Sequence, residues 1–259
     1  MKELIRYSIF SLENEKAKEI KELVLKQLND QIYDDEKPKY VIVIGGDGTY
    51  LRAIRKYINI IDECIFVSIN CGKLGFYANI NSLDDFNILD LINSRYETVS
   101  HNLLVFNVNG KGKYYAINEV SVYSVPVIGS YKVYIDGKHI EDFYGNGLLI
   151  STQSGSTGLN KSYNGAIIDE KIKALELTEI AGIQSNAYSS IRNSLVLDAS
   201  RVIYIEGKNC KNNLISYDTE RINLDEFRSL EVRYSNLKVK NIVYNKKDFL
   251  ERVKTSFIK

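Results

Sequence analysis

The run Lys39–Leu51, KYVIVIGGDGTYL, places an acid inside a glycine-rich turn, Gly45-Gly46-Asp47-Gly48-Thr49. Glycines at such a turn let backbone N–H groups approach an anionic ligand closely, and a helix start favours negative charge. Val41–Ile44 have the composition of a strand covered on both faces, and TYLRAIRKYI after the glycines is compatible with a helix. Strand, turn and helix start together make an anion cradle, yet a carboxylate there repels a phosphate unless a metal intervenes or the acid takes a proton. Asp47 is therefore read as a general base at a reacting hydroxyl, directly or through Mg²⁺, with nearby amides on phosphate oxygens. The alternative is a tight turn whose aspartate caps the helix. The spacing is neither a P-loop, since no Gly-Lys-Ser/Thr follows, nor the dinucleotide G-x-G-x-x-G.

Two further stretches could do chemistry. NCGKLGFYA, Asn70 to Ala78, carries Gly72 and Gly75 ahead of Phe76 and Tyr77 at the end of a strand-like run. Ligands of open parallel sheets bind at the carboxyl ends of strands, so this loop and the Asp47 turn would border one crevice. The plainer alternative is a pair of turn glycines and a pair of packing aromatics. YGNGLLISTQSGSTGLNKSYNGA, Tyr144 to Ala166, contains the small hydroxyl-rich turn Ser154-Gly155-Ser156-Thr157-Gly158, able to hydrogen-bond a base or ribose. Asn118-Glu119, inside another strand-like run, could hold a ribose diol and an adenine edge; an edge-strand polar pair is the competing explanation.

The elements that must position these residues change character along the chain. Leu4–Phe10 reads as a first strand, followed by a helix with Ser11 as N-cap and an apolar face at Ala17, Ile20, Leu23, Val24 and Leu28. Lys39–Ile44 and Cys64–Asn70 are further strands, and a helix with Ser82 and Asp85 in capping-box spacing follows. This alternation predicts a parallel sheet covered by helices. After about residue 97 the pattern becomes largely antiparallel β: runs flank Asn109-Gly110 and Asp136-Gly137, both strong hairpin signals, and more β-rich segments follow. The last segment returns to helical spacing at Phe249, Leu250, Val253 and Phe257 and could fold back onto the α/β part. The expected division is residues 1–98 with a returning helix at 246–259, and a β-rich domain at 99–245.

The 259 residues are 44% hydrophobic and 26% charged, with 34 Lys and Arg against 33 Asp and Glu and a net charge of +1. That balance argues against nucleic acid or an anionic membrane as partner. No apolar run is long enough to span a bilayer, and the amino terminus turns charged too soon for a signal peptide, so the expected location is cytoplasmic. Cys64, Cys71 and Cys210 fit no metal-ligand spacing and read as buried reduced thiols; His101 and His139 stand apart from each other. No direct protein ligand to a metal is assigned.

Taken in order, the motifs resemble NAD kinase, the ATP-dependent enzyme that phosphorylates NAD to NADP. The resemblance covers essentially the whole chain: Gly-Gly-Asp-Gly-Thr at 45–49, Asn-x-Gly-x-Leu-Gly-Phe at 70–76, Asn-Glu at 118–119, Gly-x-Gly-Leu-x-x-Ser-Thr at 145–152 and Ser-Gly-Ser-Thr at 154–157. It implies an α/β N-terminal domain, a mainly antiparallel β C-terminal domain, and an active site in the cleft between them. It also implies a homo-oligomer, a tetramer or dimer, whose neighbouring subunit helps complete the NAD site. Asp47 would activate the adenosine ribose 2′-hydroxyl for attack on the γ-phosphate of ATP, with Mg²⁺ or another divalent cation accompanying the nucleotide. Gly45, Gly46, Gly48 and Thr49 would meet ATP phosphates. The NAD site would comprise Gly48, Phe76, Tyr77, Asn118, Glu119, Asn146, Ser154, Thr157, Gly158, Ser162, Ala181, Ile183 and Tyr188. The donor is left open between ATP alone and polyphosphate as well. Three departures from the family pattern stand out. Asn146 replaces an aspartate, Gly158-Leu159 replaces Ala-Tyr, and Gln153 stands where proline is common. A GGDGT-type lipid kinase and a non-catalytic NAD(P)-binding regulator derived from the kinase are the alternatives. The polar Asn118-Glu119 pair and the Ser/Thr-rich turn argue against the first, and the Asn146 and Leu159 departures are what support the second.

Overall fold

The computed structural model describes residues 4–72, 75–78, 80, 87–93, 96–124, 128–183, 190–244 and 248–258. They form two compact units, Met1–His101 with Leu237–Lys259, and Asn102–Asn236. In chain order the first contributes β1 (Arg6–Ser11), α1 (Glu15–Gln27), the two-residue β2 (Ile32–Tyr33), β3 (Tyr40–Ile44), α2 (Asp47–Lys56), β4 (Ile65–Ile69) and α3 (Ile88–Asn93). Then follow β5 (Glu97–Val108), β6 (Lys111–Ala116), β7 (Glu119–Ser124), β8 (Gly129–Ile135), β9 (Lys138–Thr152), the one-turn α4 (Leu159–Ser162), β10 (Ala174–Gly182), β11 (Leu195–Asp198), β12 (Ile203–Tyr217), β13 (Glu220–Val243) and α5 (Phe249–Phe257).

In the first unit β1 pairs in parallel with β2 and β3, β3 with β4, and β4 with the end of β13 at Lys240 and Asn241. Every residue of β3 is buried, as its unbroken apolar sequence requires of a strand covered on both faces. Ala17, Val24 and Leu28 close over this sheet, but Leu23 is 44% exposed, so the apolar stripe of α1 is narrower than its spacing predicts. The cap of α1 is Asn14, whose Oδ1 accepts from Ala17 N–H at 2.8 Å, not Ser11. Ser11 lies in β1 and donates to the Leu12 carbonyl. The capping pair Ser82 and Asp85 lies outside the described residues. In α5, Leu250 is 68% exposed while Arg252 is buried, the reverse of what apolar periodicity predicts for these two positions.

The second unit is antiparallel and barrel-like. β9 and β12 are each bridged by two strands: β7 joins their residues 147–151 and 213–217, and β8 joins 138–145 and 203–207. A register shift in β12 between Glu206 and Cys210 separates the two pairings. Asn109-Gly110 and Asp136-Gly137 both have positive φ (53° and 68°, 50° and 76°), the backbone that two-residue primed turns demand. One cluster of β-strand side chains, including Leu104, Val122, Phe143, Leu177, Ile205 and Leu230, fills the interior. Cys64 and Cys210 are buried and Cys71 half-buried, and all three are free thiols. Among the described residues no helix is long and apolar enough to cross a membrane.

Candidate active site

The two units carry separate groups of the expected residues. In the first, Gly45 and Gly46 turn the chain from β3 into α2, and Asp47 is the first residue of that helix. Gly46 is its N-cap, and no side chain caps it, so Asp47 is not the cap. Its carboxylate receives three backbone N–H groups from the neighbouring loop: Phe76 donates to Oδ2 (2.8 Å), and Tyr77 and Ala78 donate to Oδ1 (3.0 and 3.3 Å). Hydrogen bonds to a charged acceptor contribute roughly 1.5–3 kcal/mol each, so this loop fixes the orientation of the acid. The close approach needs glycine at 75, because a Cβ there would stand 2.8 Å from Asp47 Cγ. The Asp47 turn and residues 75–78 are thus one construction.

Thr49 is buried, its side chain packed against Gly45, while Gly48 is exposed. The Tyr77 ring is buried and stacks on Tyr50 (4.9 Å, 16°), with His101 edge-on at 5.1 Å; its backbone N–H is what meets Asp47. Phe76 stacks on Phe257 of α5 at 5.8 Å. Tyr50 is fully buried with no hydrogen-bond partner for its hydroxyl among the described residues, and burial, then the Asp47 charge, pushes its pKa up.

In the second unit Asn118 sits in the break between β6 and β7, not within a strand, and Glu119 opens β7. Asp218, in the β12–β13 turn with φ 46°, holds that break: Ile117 N–H donates to Oδ2 (2.9 Å) and Asn118 N–H to Oδ1 (2.8 Å). Nothing in the motif pattern singles out Asp218; only the Asp-Thr-Glu step between alternating runs hints at a turn. The other wall is the 152–158 turn. Thr152 N–H donates to the Asn118 carbonyl (2.8 Å), and Thr152 Oγ1 donates to the Ile117 carbonyl (2.7 Å) while accepting from Gly155 N–H (3.0 Å). Gly155 packs so closely that a Cβ would lie 2.7 Å from Asn118 Cα.

Asn118, Glu119 and Gly158 therefore converge, the Cβ position of Gly158 lying 3.4 Å from Glu119 Oε2 and 3.8 Å from Asn118 Nδ2. Glu119 is buried, its Oε2 has no hydrogen-bond partner among the described residues, and burial, then Asp218, pushes its pKa up to about 8. Burial thus favours the neutral carboxyl, which can donate as well as accept. Ser154 and Thr157 bracket a 3-10 turn and are partly exposed, whereas Ser156 is buried, donating to the Gln153 carbonyl (2.7 Å) and accepting from Ile168 N–H (3.0 Å). Gln153, one of the three departures, accepts a hydrogen bond from the Tyr234 hydroxyl. Ser162 ends α4 and is exposed. Asn146 and Ala181 face each other between the pairs Gly147–Ile180 and Gly145–Gly182, with Ala181 in the left-handed region at φ 46°. Such a backbone costs a non-glycine residue on the order of 1–3 kcal/mol. Ile183 is 38% exposed, and its N–H donates to the Tyr144 carbonyl. Tyr188 lies outside the described residues. Among the described residues no three His, Cys, Asp or Glu side chains gather as a metal cage.

Residues 9–96 match the family model described as the ATP-NAD kinase N-terminal domain, and residues 117–243 the one described as the ATP-NAD kinase C-terminal domain. These matches define the class: a two-domain ATP-NAD kinase. An NAD kinase of Staphylococcus aureus (strain JH9) is 32% identical over 270 residues, covering 98% of each chain. Among solved structures, yeast NADH kinase complexed with NADH superposes with a TM-score of 0.85 at 16% identity, covering 98% of this chain and 87% of that one. An NAD kinase from Archaeoglobus fulgidus in complex with ATP gives a TM-score of 0.80 at 18% identity, covering 97% of this chain and 99% of that one. The chain belongs to the NAD kinase family and is an enzyme of it, a kinase acting on NAD.

Proposed function

We propose that this enzyme transfers the γ-phosphate of ATP to the 2′-hydroxyl of the adenosine ribose of NAD, giving NADP and ADP. The observation that carries the reading is the Asp47 carboxylate fixed by the Phe76, Tyr77 and Ala78 amides beside a glycine turn. Asp47 accepts the 2′-hydroxyl proton as the ribose oxygen bonds to the γ-phosphorus and the bond to ADP breaks. The step needs in-line positioning and charge neutralisation more than covalent chemistry. Gly45, Gly46, Gly48 and Thr49 form the phosphate side. Asn118 and Glu119 hold the adenosine ribose, with Ser154, Thr157, Gly158 and Ser162 toward the adenine. Asn146, Ala181, Ile183 and Tyr188 complete the dinucleotide pocket, and Phe76 and Tyr77 belong to the same proposed set.

A divalent cation fits the Asp47 carboxylate beside the glycine turn, where among the described residues no protein cage gathers, because Mg²⁺ is ordinarily held by phosphate oxygens and water with few protein ligands. When bound it would supply charge neutralisation for the phosphates. The NADH in the yeast structure and the ATP in the archaeal one support both substrates. Assembly into a homo-oligomer in the cytoplasm belongs to the same reading, and light scattering on the purified protein tests the assembly. Asn146 retains shape and an acceptor where the family has a charge, so altered dinucleotide affinity is expected, not loss of turnover.

The test is NADP formation from NAD, ATP and Mg²⁺, read through an NADP-specific dehydrogenase. Asp47→Asn is expected to lower kcat by about 10²–10⁴-fold, the usual cost of removing a general base. Turnover left intact in that variant would remove Asp47 from the role of base.

A further inference from the structure

The loop whose amides hold Asp47 is itself held from behind by the carboxy-terminal part of the chain. Arg252, on α5 and only 5% exposed, donates from its guanidinium to the Phe76 carbonyl at 3.0 Å. Its Cζ lies 5.6 Å from the Phe76 ring centre and 5.8 Å from that of Phe249. Asn241, buried on β13, donates through Nδ2 to the Tyr77 carbonyl at 3.2 Å and accepts from the Ser68 hydroxyl at 3.1 Å.

A peptide unit is planar, with its C=O and N–H pointing in opposite directions. The Phe76 carbonyl shares its plane with the Tyr77 N–H, and the Tyr77 carbonyl with the Ala78 N–H. Arg252 therefore sets the direction of the Tyr77 N–H and Asn241 that of the Ala78 N–H, the two donors to Asp47 Oδ1.

We infer that Arg252 and Asn241 are positioning residues for phosphoryl transfer, aiming two peptide planes at Asp47 so that its carboxylate faces the acceptor hydroxyl. Arginine is well suited to position 252, because its planar guanidinium stays charged when buried and packs flat on aromatic rings while still donating in plane. The inference rests on the reading of Asp47 as the base, but its structural half stands apart from it.

The experiment pairs steady-state NADP formation with amide hydrogen exchange followed residue by residue by NMR, on the full chain. Arg252→Ala is expected to lower kcat about 10–100-fold, the scale of a sub-ångström to ångström misplacement of a reacting group, with KM values within about threefold. Added guanidinium should recover part of the lost kcat, and Arg252→Lys, which keeps a donor, should fall between the parent and Arg252→Ala. In exchange, Arg252→Ala should speed the Tyr77 N–H about tenfold or more and the Phe76 N–H less, since the latter belongs to the preceding peptide unit. Asn241→Asp, which keeps the acceptor for Ser68, should do the same to the Ala78 N–H.

An unchanged kcat, a loss that guanidinium does not recover, or an Arg252→Lys no better than Arg252→Ala would overturn the positioning role. Uniform acceleration of all three amides would overturn it too, as simple undocking of α5. Should Arg252→Ala fail to fold, exchange at Tyr77 in Arg252→Lys decides instead, and an unchanged rate there would count against the inference. A parent that forms no NADP yet shows the residue-specific exchange pattern would refute the kinase reading and leave the loop mechanics standing.

Discussion

Gly75→Ala isolates the geometry of the acid from its chemistry. The Cβ of alanine would stand 2.8 Å from Asp47 Cγ, and ordinary contact begins at 3.4 Å, so carboxylate and loop must separate by at least 0.6 Å. The carboxylate is short and held by three amides, so it cannot swing aside without breaking some of those bonds. Losing one or two charge-assisted hydrogen bonds costs roughly 1.5–3 kcal/mol each, part of which solvent returns at this half-buried position. Misplacement by about an ångström can itself cost about 10²-fold. The expected outcome is a kcat lowered about 10²-fold, with the KM for both substrates within a few-fold and a melting temperature only a few degrees below the parent. Steady-state kinetics with NAD and ATP, alongside thermal unfolding, measure both halves. A variant that keeps kcat within about threefold would show that turnover does not need the amide hold on Asp47, and would refute the role given to that hold.

Two other consequences can be measured. Asp218→Ala leaves the Ile117 and Asn118 N–H groups without their acceptor, so a rise in the KM for NAD of about 5–30-fold with a smaller change in kcat is expected; an unaltered KM would show that the 117–119 break needs no such brace. Burial raises two carboxyls well above their ordinary 4.5, Glu119 to about 8 and Glu141 to about 7, the latter against a hydrogen bond from Ile191 N–H and with the Glu179 charge adding. A raised carboxyl contributes stability that is complete below its unfolded value and is lost as pH rises through the folded one. Unfolding free energy should therefore decline as pH rises from about 5 to about 9, each tenfold difference in proton affinity being about 1.4 kcal/mol. Glu119→Gln and Glu141→Gln should flatten the decline, and a parent whose stability is level over that window would contradict both shifts.

Much of this arrangement is legible in the sequence because the local signals are strong. An unbroken apolar run marks β3, and Asn-Gly and Asp-Gly mark two primed turns whose four residues all take positive φ. The misreadings have local causes. Ser11 and Asn14 are both competent caps, and the ladder to β3 claims Ser11 as strand, which passes the cap to Asn14. Leu250 fits a helical apolar stripe, but α5 turns Arg252 inward because a carbonyl and two aromatic rings await it. Asn118-Glu119 reads as continuous strand because composition cannot reveal the break that Asp218 stabilises from a hundred residues away. Contacts of that separation leave no periodic trace. The link between Asp47 and its loop is legible in part: strand-end reasoning sets both glycine motifs at one crevice, but that Gly75 leaves room for the Asp47 carboxylate is not visible.

Because the donors that grip Asp47 are main-chain N–H groups, the side chains at 76, 77 and 78 are not what grips it. Any residue but proline offers the same N–H, whereas position 75 has no room for a Cβ. The side chains at 76 and 77 instead seat the loop, Phe76 against Phe257 and Arg252 and Tyr77 against Tyr50. Short of proline, a substitution there therefore reaches Asp47 only by shifting the main chain, never by removing a group that touches the carboxylate.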